Sequence, residues 1–275
     1  MTIHSLRLVA ELAIRTNATP REKNKTMSVP KRIGVMIPST NTTCEADFQR
    51  VVPQGVTVHG QRMWMSNEPN SEAKMERMNA DIEDGIKYLS TAKVDVIAYG
   101  CTTGSFFRGA GWDQALVDMI ERKAGVPAVV TSPAAVAALR SVGAKRISIA
   151  SPYQAWNNDK LRDYLSAAGF DVLNAEGDLQ AAAAGPQGIN DHDPASVVAF
   201  AEQVCRDDAD ALFCGCTAWR ALEAVEELEA STGRPVVTSN QATIWASLQT
   251  LGVDAPINGF GRLFETKFRR TTRPQ

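Results

Sequence analysis

Histidine is scarce in this chain. It has three, His4, His59 and His192, far apart along 275 residues. No cysteine therefore has a histidine in a fixed local pattern, which weakens a Cys–His hydrolase reading, and the ligand spacing of a structural zinc site is missing. Charge of either sign in excess is missing too. A formal net charge of −2 gives no electrostatic grip on nucleic acid or a membrane surface. No apolar run approaches the roughly 20 residues that a spanning helix needs. The first 26 residues lack a secretory apolar core followed by a small-residue cleavage site. Residues 1–30 are expected to form a disordered extension, with Met27 as an alternative start. Five cysteines, an odd number, in a chain of this length favour reduced thiols in a cytoplasm over a disulfide framework. Cys214-Gly-Cys216 has no second cysteine cluster to complete a metal site, so no metal is expected.

What the chain does have is an internal repeat. Residues 94–105 read VDVIAYGCTTGS and residues 209–220 read ADALFCGCTAWR. Each is an apolar run, then Gly-Cys-Thr. The two cysteines, Cys101 and Cys216, are 115 residues apart. Lys31–Ser39 pairs with Lys145–Tyr153, and Gly125–Ser132 pairs with Gly233–Ser239. Three matched elements in one order argue for a duplicated α/β unit, about 31–143 and 144–252 plus a C-terminal segment, within a two-lobed domain over 31–275.

Apolar runs at Arg32–Ile37, Val56–Met65, Val94–Ala98, Ala128–Val130, Ile147–Ala150, Asp171–Asn174, Ala211–Cys214 and Val236–Thr238 read as strands. Between them lie helical patterns, including one over Glu72–Thr91 with Met75, Met78, Ile82, Ile86 and Leu89 on one stripe. Ala181–Asp193, rich in Gly, Pro and Asn, reads as a flexible loop. Regular alternation implies parallel sheets covered by helices, here two pseudo-symmetric Rossmann-like lobes. In such sheets the ligand sits beyond the carboxyl ends of the strands. Ser39–Asn41, Cys101–Thr103, Thr131–Ser132, Tyr153, Cys216–Thr217 and Thr238–Ser239 all fall there, so a cleft between the lobes is expected.

A thiol of ordinary acidity is a few per cent thiolate at pH 7 and still a good nucleophile. A helix N-terminus lowers its pKa through oriented N–H groups. Both Cys101 and Cys216 precede expected helices, so both are expected to be activated. Thr102, Thr103 and Thr217 offer hydroxyls and N–H groups to a carboxylate. Asn41 and Tyr153 can each donate a hydrogen bond to a carboxylate or a developing enolate. The plainer alternatives are small core cysteines, a cap asparagine and an interface aromatic. Cys44, Cys205 and Cys214 have no matched partner and read as structural. Trp112 and Trp219 read as packing; Arg108 and Arg220 are candidate carboxylate clamps, with solvated or structural roles the commoner reading.

Pro38-Ser39-Thr40-Asn41-Thr42, Gly100-Cys101-Thr102-Thr103-Gly104-Ser105, Ser151-Pro152-Tyr153 and Cys216-Thr217-Ala218-Trp219-Arg220 together resemble the maleate cis–trans isomerase and arylmalonate decarboxylase branch of the aspartate/glutamate racemase superfamily. The likeness runs over most of residues 31–252. It implies two α/β lobes, a site between them and no cofactor. By motif, Cys101 resembles the isomerase nucleophile and Cys216 the second, proton-transferring cysteine. Asn41 and Tyr153 resemble the substrate-carboxylate contacts, with Ser39, Thr102, Thr103 and Thr217 beside them. The implied substrate is a small dicarboxylate; homo-oligomerisation is left open.

Two departures stand out. The isomerases carry a further asparagine in the loop before the second cysteine strand, where only Asn190 ends the stretch Ala181–Asn190. Ser105–Ala110 looks closer to the decarboxylases, yet those have glycine at the position of Cys101. Amino-acid racemases of the superfamily have Cys-Asn-Thr and Cys-Thr-Glu, which this chain lacks. The alternatives to isomerisation are therefore malonate decarboxylation, then racemisation, then non-catalytic carboxylate binding.

Overall fold

The computed structural model describes residues 29–66 and 71–266. The extension expected over residues 1–30 lies outside them, except for Val29 and Pro30. The first lobe runs β1 (Lys31–Pro38), α1 (Cys44–Val51), β2 (Val56–Met63), α2 (Ser71–Asn79), α3 (Ile82–Thr91), β3 (Val96–Tyr99), α4 (Thr102–Phe106), α5 (Trp112–Ala124), β4 (Ala128–Val130) and α6 (Thr131–Ser141). The second runs β5 (Arg146–Ser151), α7 (Ala155–Ala167), β6 (Asp171–Gly177), α8 (Leu179–Ala183), α9 (Gly185–Asn190), α10 (Pro194–Val204) and β7 (Ala211–Cys214). A 3₁₀ turn (Arg220–Ala224), α11 (Val225–Thr232), β8 (Val236–Thr238), α12 (Ser239–Thr250) and a closing 3₁₀ turn (Arg262–Glu265) complete it.

Each lobe holds one four-stranded parallel sheet, ordered β2-β1-β3-β4 and β6-β5-β7-β8. The order is the same in both. Helices cover both faces of each sheet, so the central strands are apolar on both sides: β3 (VIAY) and β7 (ALFC) are buried throughout. One core cluster joins the lobes. It includes Leu139 of α6 and Ile244, Trp245 and Leu248 of α12, two helices packed on each other between the sheets. Truncating Leu139 to alanine there would cost about 2–5 kcal/mol. Each lobe has its own outer cluster as well. All eight strands end on the side where the lobes face one another, which is what the alternating pattern implies.

Two expectations need correction. The helical pattern over Glu72–Thr91 is two helices, α2 and α3. The chain turns at Ala80–Asp81, where the Asp81 carboxylate accepts the Trp64 N–H (2.6 Å) and an Arg77 guanidinium N–H (2.7 Å). The apolar stripe reads through this break because Met75, Met78, Ile82, Ile86 and Leu89 all remain buried. The segment Ala181–Asp193 contains helices rather than a flexible loop. Asp178 caps α8 by accepting the N–H groups of Gln180 and Ala181, and Pro186 sits in the first turn of α9. Proline is a breaker inside a helix but a starter at its first positions.

Candidate active site

β3 and the turn after it set the first thiol. Gly100 is needed there, since a side-chain carbon on it would come within 2.9 Å of Ile37 and 3.1 Å of the Cys44 sulfur. Cys101 is extended and serves as the N-cap of α4, its sulfur accepting the Gly104 N–H at 3.4 Å. From β1, Asn41 enters the site with its amide oriented from both ends. Its Oδ1 accepts the N–H groups of Thr43 (3.0 Å) and Cys44 (2.9 Å) at the start of α1, and its Nδ2 donates to Thr217 Oγ1 at 3.0 Å across the lobes. The cap role and the cleft position are thus one residue's two ends.

The second thiol is set differently. Cys216 was expected to precede a helix. It lies in a turn instead, with φ of 93°, and helical geometry begins only at Arg220. Its N–H donates to Ser239 Oγ (3.1 Å), which also accepts Thr102 Oγ1–H (2.9 Å). Thr217 Oγ1 donates to the Gly100 carbonyl at 3.1 Å. Each Gly-Cys-Thr motif therefore ties its threonine to the other lobe. Asn240 Nδ2 donates to the Thr217 carbonyl (2.9 Å) and to the buried Asp47 carboxylate (2.7 Å), joining α12 to α1 behind the turn.

A cavity of about 290 Å³ opens between the lobes, bordered by Asn41, Cys101, Thr102, Thr103, Tyr153, Cys216 and Thr217. Met65, Met75, Trp156 and Ile189 form an apolar wall, and Lys74 stands at the border as well. Ser39 is not part of the lining. Its hydroxyl accepts the Met65 N–H (2.9 Å) and anchors the end of β2. Asn190 does line the cavity, but its amide is spent on protein. Nδ2 donates to the carbonyls of Thr40 (3.0 Å) and Pro186 (2.7 Å), and Oδ1 accepts the Thr42 N–H (2.9 Å). It clasps the Asn41 loop to the second lobe. Arg62 reinforces that loop by donating to the Asn41 carbonyl.

Burial dominates the thiol electrostatics, contrary to the expected activation. It pushes Cys101 up to about 12; the Gly104 N–H pulls down, charge on Cys216 pushes up further, and a contact with the Tyr99 hydroxyl pulls down. Cys216 is also raised by burial, opposed by the N–H groups of Ala218 and Trp219 and by the Tyr153 hydroxyl. Tyr153 in turn lies against Thr103 and Thr102 of the first lobe and is itself raised by burial. A five-residue helix start does not offset removal from water. Charge on Cys216 raises Cys101, so a second negative charge on the pair is opposed.

The remaining residues behave as expected. Arg108 and Arg220 form exposed ion pairs with Glu76 and Glu223. Trp219 is buried and donates its indole N–H to His192 Nδ1 at 2.9 Å. Cys44 and Cys214 are buried in the core and Cys205 is partly buried. Tyr99 and Asn79, behind Cys101, were not singled out from sequence. A signal existed for Tyr99, two residues before Cys101 and so on the same side of the strand. Among the described residues no helix is long and apolar enough to cross a membrane.

A family model described as arylmalonate decarboxylase matches residues 33–264. A maleate isomerase of Pseudomonas putida is 30% identical over 250 residues, 84% of this chain and 96% of that protein. The cysteine-to-alanine variant of the maleate isomerase of Pseudomonas putida S16, crystallised with maleate, is 25% identical with a TM-score of 0.78, over 85% of this chain and 97% of that one. A cysteine-to-serine mutant of the Nocardia farcinica maleate cis–trans isomerase, carrying a covalently bound succinylcysteine intermediate, is 25% identical with a TM-score of 0.77, over 85% and 98%.

Proposed function

The chain belongs to the maleate isomerase and arylmalonate decarboxylase branch of the aspartate/glutamate racemase fold, and from that premise we propose that it isomerises a small cis-dicarboxylate of the maleate type, without a cofactor, through a covalent thiol adduct. One observation carries the reading: thiols 115 residues apart in sequence border one cavity together with an amide and a phenol.

In this reaction the Cys101 thiolate adds to one olefinic carbon. The π electrons move toward the neighbouring carboxylate as an enediolate, and the Cys216 S–H delivers its proton to the second carbon. The former double bond is now single and rotates. The Cys216 thiolate then takes a proton back from the second carbon, the C–S bond breaks, and the trans isomer leaves with Cys101 again a thiolate. One charge passes between the two sulfurs and none is gained or lost, which suits a pair that resists double ionisation. Asn41, Tyr153 and Thr103 hold the two carboxylates with neutral donors, while the Thr102 and Thr217 hydroxyl hydrogens are engaged by Ser239 and the Gly100 carbonyl. The succinylcysteine of the Nocardia farcinica neighbour is the adduct expected of this path.

Incubating the purified protein with maleate and following the vinyl region by proton NMR tests the reading. The fumarate signal is expected to grow in with no added cofactor. No turnover, with Cys101 still open to a thiol reagent, would discard maleate as substrate. Decarboxylation of a substituted malonate is the second reading, favoured by the apolar wall of Met65, Met75, Trp156 and Ile189. Under it, Cys101→Gly keeps or gains activity on an arylmalonate, since only one thiol is needed to protonate the enediolate.

A further inference from the structure

Helix α2 carries Glu72, Lys74, Glu76 and Arg77, and all but one of these charges are paired. Glu72 meets Lys160 Nζ at 3.2 Å, Arg77 meets Asp81 at 2.7 Å, and Glu76 meets Arg108. Lys74 is left over: among the described residues no hydrogen bond or ion pair holds its ammonium. It is half-buried, next to Met75, and it lines the cavity between the lobes. Among the described residues of that lining it is the one with a formal charge. Partial removal of an ammonium from water costs free energy unless an acceptor compensates it. The carboxylates of its own helix are engaged by other cations, so the compensating anion comes from outside the chain. Deeper in the same cavity Asn41, Thr103 and Tyr153 are buried, and these neutral donors already take two carboxylates. Met65, Met75, Trp156 and Ile189, which line the cavity too, suit methylene groups.

We propose that the substrate is a maleate-type dicarboxylate bearing a third carboxylate on an arm of one or two methylenes, and that Lys74 binds this third carboxylate. The inference rests on the reading of the cavity as a site for a cis-dicarboxylate. The arm takes no part in bond making: the two thiols act on the double bond as in the parent reaction. Its carboxylate sets which cis-dicarboxylate is preferred. Unsubstituted maleate leaves Lys74 unpaired, and a methyl substituent offers it only an apolar neighbour. An anionic arm is favoured over an apolar one of similar length, because a single lysine in an otherwise uncharged lining attracts the first and not the second. Lys74 is thus a specificity-determining residue, distinct from the groups at the reacting carbons.

The test uses saturated analogues, so it needs no turnover. Dissociation constants of methylsuccinate, propane-1,2,3-tricarboxylate and butane-1,2,4-tricarboxylate are measured by ligand-observed proton NMR on wild type, Lys74→Met and Lys74→Arg. In wild type at least one tricarboxylate is expected to bind about tenfold tighter than methylsuccinate, the worth of a charge-assisted hydrogen bond partly screened by water. Lys74→Met is expected to bring that ratio to about one, and Lys74→Arg to restore most of it. A merely structural lysine would change both affinities together and leave the ratio alone. Lys74→Gln replaces Lys74→Met if the latter does not fold. No tricarboxylate preference in wild type, or a preference that survives Lys74→Met, overturns the role of Lys74 while methylsuccinate binding keeps the dicarboxylate site. In turnover, 2-(carboxymethyl)maleate is expected to exceed 2-methylmaleate about tenfold in kcat/KM, and Lys74→Met to level the two. If neither is isomerised but the binding ratio behaves as stated, the third-carboxylate site stands and the isomerase reading falls. If none of the three analogues binds, both fall.

Discussion

The two Gly-Cys-Thr segments come from matched places in matched sheets, yet they differ in backbone. Cys101 is extended and leads straight into α4, its sulfur taking the Gly104 N–H. Cys216 sits at φ of 93° in a turn whose next helical residue is Arg220. The surroundings explain it. The second turn is pulled from both lobes, by Ser239 on the Cys216 N–H, by Gly100 on the Thr217 hydroxyl and by Asn240 on the Thr217 carbonyl. The first has Pro133 where the second has Asn240, so no amide reaches back to it. A left-handed conformation at a side chain with a Cβ costs on the order of 1–3 kcal/mol and persists only where neighbours over-determine it. Two sheets of the same order thus present two thiols, and the contacts between the lobes give them different settings, Cys101 extended at the start of a helix and Cys216 strained on a turn.

If those settings are separate roles, breaking each should fail differently. Cys101→Ala is expected to abolish isomerisation, because no adduct can form. Cys216→Ser is expected to lower kcat by about 10²- to 10⁴-fold, the worth of a positioned proton carrier, and to let an adduct one substrate heavier accumulate on the Cys101 peptide, seen by mass spectrometry. Equal loss without adduct would remove the distinction.

The clamp on the second turn is testable through pH. Burial raises the Asp47 carboxyl from its usual 3.8 to about 7, against the pull of Asn240 and Arg50. The folded state therefore holds this proton more tightly than the unfolded chain. Its contribution favours folding below pH 4 and declines as pH rises from about 4 to 7, by about 1.4 kcal/mol per unit within that window, then levels off. Asp47→Asn keeps an acceptor for Asn240 and is expected to remove that part of the slope in urea unfolding measured from pH 4 to 8. An unchanged slope would mean that Asp47 is charged throughout.

The smallest effect sharpens the comparison most. Cys216→Gly relieves the left-handed strain and is expected to stabilise the fold by about 1 kcal/mol while activity falls. Cys101→Gly, at an extended residue, is expected to give no such gain. Thermal melts of the two variants side by side decide it.

Much of this was legible before any coordinates. The strand runs, the repeat and the Gly-Cys-Thr pairs needed only local pattern, and the sheets follow them almost residue for residue, as at Ala211–Cys214 and Val236–Thr238. Apolar periodicity also found the stripe of α2 and α3, but not the break, because Asp81 ends one helix through a contact with Trp64 seventeen residues away. Pro186 and Gly185 looked like loop residues because a sequence window does not say whether proline starts a turn or interrupts one. Ser39 has the right residue type and place in the chain for the cleft, and a backbone N–H at Met65 claims it instead.

By itself the sequence determined the strand–helix alternation, the internal repeat and hence two parallel sheets whose strand ends face one cleft with Cys101 and Cys216, since these depend on periodicity and order along the chain. The tertiary structure decided what the groups in that cleft can do. Desolvation raised both thiols where a local rule would have lowered them. Contacts spanning more than a hundred residues, Asn41 to Thr217 and Asn190 to Thr42, set the amides. Such terms depend on distance and burial in three dimensions, and neither is a property of neighbours in sequence.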